Sequence, residues 1–322
     1  MVSPRRRHGP TSWIVAISAL GLAACGDKKL PPVEGSSSAA PVNNAPIKII
    51  PPTNPASDAE PNPLSLPPRP LDVVVGQRIF APPAAMLRGA KLGSSLALRA
   101  VEVVAKDGDT IVVQGRDGPN YKVHTAYVIP VPPNFRPRVN GPVLAEWAGQ
   151  LRHGALRRMN MGSAVIRFTD TEDKTERTLK NGALIAQTDG FRPGNFAGVR
   201  EGDALKQVML VSELGDGSRR WFALGYAGAA MLVDPVALVA VPVNFEPKEG
   251  ASVWGVWLGA YRPATIQDVD SPGLFTVRFD RTGRAVRLGW GSVMPPFAPL
   301  QPIPLGSIPM PKKPPRPDGS FM

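Results

Sequence analysis

Few residues in this chain are equipped for chemistry, and their scarcity narrows the options. There is one cysteine, Cys25, and three histidines, His8, His124 and His153. One thiol can form neither an internal disulfide nor a thiolate metal cluster. No HExxH pair, glycine-rich phosphate loop or GxSxG elbow occurs along the 322 residues. Glycoside hydrolysis needs two carboxylates about 5–10 Å apart across a cleft. The acids Asp107, Asp109, Asp170 and Asp280 fall instead in turn-like stretches, where Asp bonds its own backbone. The expectation is a non-enzyme without cofactor or metal, and a hydrolase of unrecognised type is the lesser alternative.

Charge offers a second kind of chemistry. Residues 75–200 hold 18 Lys and Arg against 10 Asp and Glu, a net +8, whereas 201–297 hold 9 against 10. Such an asymmetry favours polyanions such as envelope polymers or lipid headgroups, although ordinary solubility charge explains it equally well. Arg152, Arg157 and Arg158, beside His153, form the densest basic cluster. They are candidates for bidentate grip on phosphate or carboxylate. The alternative is a solvated loop. Nucleic acid is not an expected partner.

The surroundings of Cys25 point to location. Arg5, Arg6 and Arg7 precede an uncharged run, "WIVAISALGLAA" at 13–24. That run is too short for a span of about 20 apolar residues, but it fits the core of a secretory signal peptide. Leu22-Ala23-Ala24-Cys25 resembles the bacterial lipobox. The resemblance implies a diacylglyceryl group on Cys25, cleavage before it, and an acyl anchor in the membrane. The twin-arginine export route is the lesser alternative, because His8, Gly9 and Pro10 follow the arginines where hydrophobic and lysine residues are expected. Localisation in the bacterial envelope follows, with Gly26 after the cysteine favouring the outer membrane.

Composition then divides the chain into 1–24 (signal peptide), 25–72 (lipidated Cys and tether), 73–190, 191–297 and 298–322. Twelve of the 45 residues at 26–70 are proline, a composition that reads as a disordered tether. The Pro-rich tail at 298–322 reads the same way, or as a proline-motif ligand. Between them lies a duplication. "VPPNFRP" at 131–137 matches "VPVNFEP" at 241–247, "AEWAG" at 145–149 lies over "GVWLG" at 255–259, and "IRFTD" at 166–170 lies over "VRFDR" at 277–281. Short apolar alternations separated by Asp-Gly and Gly-containing turns recur within each copy. The fold class expected is all-β: duplicated pairs of small antiparallel barrels, about four units, at about 73–134, 139–190, 199–245 and 249–297. Barrel closure also removes open sheet edges that no helix would cover.

The segments "VLAEWAGQLRHGALRRMNMGSAVIRFTD" and "VWGVWLGAYRPATIQDVDSPGLFTVRFD" resemble Tudor-like, Src-homology-3-like barrels, in which a strand bearing Trp leads through a Gly loop to a strand ending Phe-Asp. The first unit of each copy lacks that Trp. The resemblance implies that Trp254, Tyr261 and Trp290, with Trp257 and Phe279, either fill a core or line a cation or peptide site. Alternation puts Val253, Gly255 and Trp257 on the inner face and Trp254 on the outer, near Tyr261. The function expected is binding or scaffolding for an envelope polymer or protein partner, and the alternative is a structural spacer.

Overall fold

The computed structural model describes residues 60–115, 118–132, 137–169, 175–180 and 184–297. Cys25, most of the tether, Asp170, the Asn134-Phe135 link and the tail at 298–322 lie outside these residues. One five-stranded antiparallel topology occurs four times. The first unit comprises β1 (Arg78–Ala81), β2 (Arg99–Asp107), β3 (Thr110–Gln114), β4 (Tyr121–His124) and β5 (Ile129–Pro130). The second comprises β6 (Pro142–Trp147), β7 (Gln150–Asn160), β8 (Ser163–Phe168), β9 (Glu176–Lys180) and β10 (Leu184–Ala186). The third comprises β11 (Phe196–Glu201), β12 (Ala204–Glu213), β13 (Trp221–Leu224), β14 (Ala230–Val233) and β15 (Leu238–Ala240). The fourth comprises β16 (Ser252–Trp257), β17 (Ala260–Ser271), β18 (Leu274–Phe279), β19 (Ala285–Gly289) and β20 (Val293–Met294).

In every unit four strands run as a meander and the last returns beside the first. The second strand is long and carries a β-bulge: at Val103/Ala105, Leu156/Arg158, Leu210/Ser212 and Ile266/Asp268. A bulge bends its strand and increases the local twist, so a single sheet can curl over its own inner face. The expected all-β class of small antiparallel units is what the chain forms, and the first and third units share the topology although they lack the Trp.

The duplication holds strand by strand. The hairpins β6–β7 and β16–β17 turn through Ala148-Gly149 and Leu258-Gly259, both residues of each pair having positive φ. That is the primed turn whose twist suits a two-residue hairpin. Trp147 and Trp257 occupy the same position before these turns, each packed on a Phe, Phe168 at 6.0 Å and Phe279 at 5.2 Å between ring centroids. A second bulge in β17, at Val269/Ser271, has no counterpart in β7. It inserts one residue, which is why the sequence offset changes from 110 to 111 between Trp257 and Phe279. The first unit alone has a long insertion between its first two strands, carrying the short helix α1 (Ala84–Leu87).

The run "LGYAGAAMLVDPVALVAVP" at 224–242 is not one helix, in keeping with Pro235 inside it. It folds as short 3₁₀ turns flanking β14 and leading into β15. Asp234 accepts a hydrogen bond from Val236 N–H at 3.0 Å, with Pro235 in the first turn position. His124 plays the same part in the first unit, its Nδ1 accepting from Ala126 N–H at 3.3 Å.

One expectation is corrected. The tether expected over 25–72 does not extend through 60–72. Residues 60–75 form a strap that lies on the body, with Leu66, Leu71 and Val73 in the largest core cluster beside Ile79, Phe80, Tyr127, Leu214 and Phe222. An extended Pro-rich segment has few N–H groups to satisfy, so it can be covered at small cost when apolar residues punctuate it.

The units interlock. Tyr127 of the first meets Phe222 of the third edge-on at 5.2 Å, and Ser212 donates to the Ala126 carbonyl at 2.5 Å. Ala155 of the second packs in the core of the fourth. Gly289 leaves no room for a Cβ, which would overlap the Thr169 carbonyl oxygen.

Candidate functional site

Of the expected aromatic site, Trp254 and Tyr261 lie at the seam between the third and fourth units. Leu205 and Lys206 of β12 pair with Tyr261 and Ala260 of β17, joining the two sheets. Behind that junction Leu205, Val241, Tyr261 and Met294 are buried, with Trp254, Val256 and Phe297 half-buried against them. Trp254 and Tyr261 therefore do come together outside the fourth core, while Val253, Gly255 and Trp257 face into it.

What these groups can do chemically is limited by their partners. Tyr261 is 1% exposed and its hydroxyl donates to the Gly291 carbonyl at 2.5 Å. Gln207 Nε2 reaches the same carbonyl at 2.9 Å and Ser292 Oγ at 3.1 Å. Burial pushes the Tyr261 phenol above its usual range. Trp290 is 4% exposed, packs against Gly273, where a Cβ would overlap its indole, and belongs to the fourth core. Trp254 meets Phe297 edge-on at 5.9 Å, and the Arg200 guanidinium sits 4.6 Å from the centre of the Phe297 ring. Arg284 stands over Trp257 at 5.0 Å and Arg177 over Trp147 at 5.4 Å. The protein's own arginines thus occupy ring faces that a cation cage would offer.

Replacing Tyr261 by Phe is expected to cost about 1 kcal/mol, the net worth of one hydrogen bond, because Gln207 keeps the Gly291 carbonyl satisfied. The denaturation midpoint measures it, and a loss several times larger would mean that the hydroxyl holds the seam by itself.

The basic cluster does not converge. Arg152 and Arg158 lie six residues apart on β7, about 20 Å along the strand. Arg152 is half-buried and its Nη2 donates to Gln150 Oε1 at 3.1 Å. Arg157 is held by Glu176 at 3.3 Å and by Asn140 Oδ1 at 2.7 Å. Arg158 is exposed.

His153 neighbours these arginines in sequence but points inward. Its Nε2 lies 3.0 Å from the Gly194 carbonyl, and its ring stacks on Phe196 at 3.9 Å. Burial lowers its pKa to about 4. His124 is also buried and shifted downward for the same reason, opposed by the Asp109 charge. Of the turn acids, Asp107 pairs with Lys122 at 3.8 Å and Asp280 Oδ1 accepts from Thr265 at 3.5 Å. Among the described residues no three His, Cys, Asp or Glu side chains gather as metal ligands would.

Sequence patterns give no sign of three charged groups that the structure uses. Asp270 binds both Arg287 Nε and Thr276 Oγ1 at 3.1 Å across three strands. Arg200 covers Phe297. Arg69 of the strap buries its guanidinium and donates to the Val128 carbonyl at 2.6 Å. Burial draws the Arg69 pKa down to about 10. Each depends on contacts between separate strands or segments, which local spacing does not encode.

Among the described residues, grooves lie between units. One, of about 760 Å³, runs between the first and second units past Arg78, Glu102, Glu146 and Trp147. Another, of about 670 Å³, passes Asn140, Asp189, Glu246 and Trp290 between the second and fourth. Both have mixed charge.

No protein-family model and no curated protein matches the chain. Among solved structures it is similar to the four MBT repeats of Drosophila melanogaster Sfmbt in complex with a peptide, at 9% identity over 69% of this chain and 88% of that one. The TM-score is 0.15, a value that supports no inference about function.

Proposed function

We propose that this chain is a lipid-anchored protein of the bacterial envelope, exported and acylated at Cys25. Its four interlocked units act as a non-catalytic scaffold that binds an envelope polymer or a protein partner. One observation carries the non-catalytic reading: the groups with chemical potential are committed to packing and hydrogen bonding within and between the units. His153 stacks between the second and third units, Tyr261 closes the seam of the third and fourth, and arginines cover the aromatic faces. Recognition is then left to the outer surface and its uneven charge. The anchor rests on the sequence Leu22-Ala23-Ala24-Cys25 behind a short apolar run. Gly26 favours the outer membrane over the inner.

Replacing Cys25 by Ser is expected to move the protein out of the membrane fraction and leave an unprocessed precursor, read by fractionation and mass. Normal processing with membrane retention would refute the anchor. For the scaffold, binding to purified envelope polymers is expected to weaken steeply with salt, as screening shortens from about 10 Å at 0.1 M to about 3 Å at 1 M. Failure to bind any envelope fraction would leave a spacer.

A further inference from the structure

The β7–β8 hairpin differs from its counterpart in a way that internal packing does not explain. It ends in the turn Met161-Gly162, where Met161 is fully exposed and Met159 is 50% exposed. Arg158 beside them is also exposed, and Asn160 completes a tip without an acid. In the fourth unit the equivalent hairpin has Gln267, Asp268 and Val269 where this one has Arg157, Arg158 and Met159. Its turn is covered, because Trp290 lies on Gly273. The same hairpin is thus acidic with its turn glycine covered in one copy, and basic with a fully exposed methionine at its turn in the other.

We infer that the β7–β8 tip is a membrane-contact element, Met159 and Met161 entering the interface of an anionic phospholipid surface while Arg158 meets the phosphate headgroups. Each part has a physical role. Unbranched methionine side chains adapt to disordered acyl surroundings, and apolar insertion together with cationic attraction is how interfacial elements bind. Arg157 is tied to Glu176 and Asn140, so it stiffens the base of the hairpin and leaves Arg158 as the contacting charge. Thirty-four residues separate Cys25 from Glu60, at most about 120 Å of chain. On the anchored reading proposed above, the tip can therefore reach the membrane that holds the anchor. Tethering raises its effective concentration there, so weak intrinsic binding suffices.

The test uses the unacylated chain beginning at position 25 with Ser in place of Cys25, which contains all of the described body. Its co-sedimentation is measured with vesicles of phosphatidylcholine alone and of phosphatidylcholine mixed with phosphatidylglycerol. Binding is expected only to the anionic vesicles, to weaken about fivefold in Arg158→Gln, the contribution of one cation near such a surface, and to fall by more than tenfold in the double variant Met159→Ser, Met161→Ser. Circular dichroism is expected to be unchanged, because all three side chains are exposed. No binding by the parent chain, or equal binding by the double variant, overturns the inference. So does photocrosslinking from position 161 in cells that captures a protein instead of lipid. None of these results depends on acylation, so failure here is distinguishable from failure of the anchor at Cys25, which is read by fractionation.

Discussion

Lowering the pH from about 6.5 to about 4 is expected to remove about 3 kcal/mol of folding stability through one side chain, His153. The folded imidazole is buried, stacked on Phe196, and titrates near 4, whereas an unfolded histidine titrates near 6.5. Between those values the unfolded chain binds a proton that the folded chain refuses, so stability rises with pH across the window. Above it neither state is protonated and the contribution is fully present. Below it both are protonated and the contribution is gone. Each tenfold difference in proton affinity between the two states is worth about 1.4 kcal/mol, which over this window gives the total. Carboxylates also titrate as pH falls, so the comparison that isolates this effect is between the parent and His153→Gln, each unfolded by urea at pH 7, 5.5 and 4. The parent is expected to lose about 3 kcal/mol more than the variant across that range, with His124 leaving a smaller slope in both. Parallel losses would show that His153 takes up its proton without opening the body.

The second large effect belongs to the strap. Leu66→Ala is expected to cost about 2–5 kcal/mol, the range for truncating a fully buried leucine. Leu66 is 3% exposed, in a cluster with residues of both the first and third units. The hydrogen bonds around it explain why the site will not collapse to fill the void. Asn62 closes a short loop, its Oδ1 accepting from Leu66 N–H and its Nδ2 donating to the Leu66 carbonyl, both at 2.9 Å. Tyr127 OH accepts from Leu64 N–H at 3.1 Å and donates to Asn62 Oδ1 at 3.0 Å. Further along, Lys106 donates to the Leu71 carbonyl at 2.7 Å. The denaturation midpoint measures the loss, and amide exchange in 62–71 is expected to quicken by the same free energy if the strap opens with the body. A loss under about 1 kcal/mol, well below the range for a buried leucine, would mean that the strap is a surface ornament. Gly215→Ala provides an independent check, because a Cβ there would overlap the Pro68 carbonyl oxygen, with backbone on both sides.

What can be seen in the sequence is whatever repeats locally. Alternation and turn residues mark the strands, and the duplicated Trp marks the hairpins of the second and fourth units. Val253, Gly255 and Trp257 can be assigned to the inner face because a strand has a period of two. The four-fold topology is harder to see, since the first and third units share strand order and bulge position with the others without sharing their aromatic residues. The strap escapes detection for a related reason. Proline content describes what a segment cannot do alone, but Leu66, Leu71 and Val73 are buried by a surface that only the assembled units provide. His153 and Tyr261 are similar. Their types permit a binding role, and their positions at the seams assign them to packing and hydrogen bonding instead.

The strap has a consequence in time as well as in energy. It precedes every described strand, yet it rests against Leu214 and Gly215, which connect β12 to β13 in the third unit. A chain emerging from its N-terminus therefore exposes Leu66, Leu71 and Val73 long before their partners exist. Contacts so distant in sequence form slowly, because loop closure must precede their reward. The first two units can assemble from neighbouring strands while the strap waits, and its closing belongs among the late steps of folding. Over that interval Leu66, Leu71 and Val73 stay open to solvent.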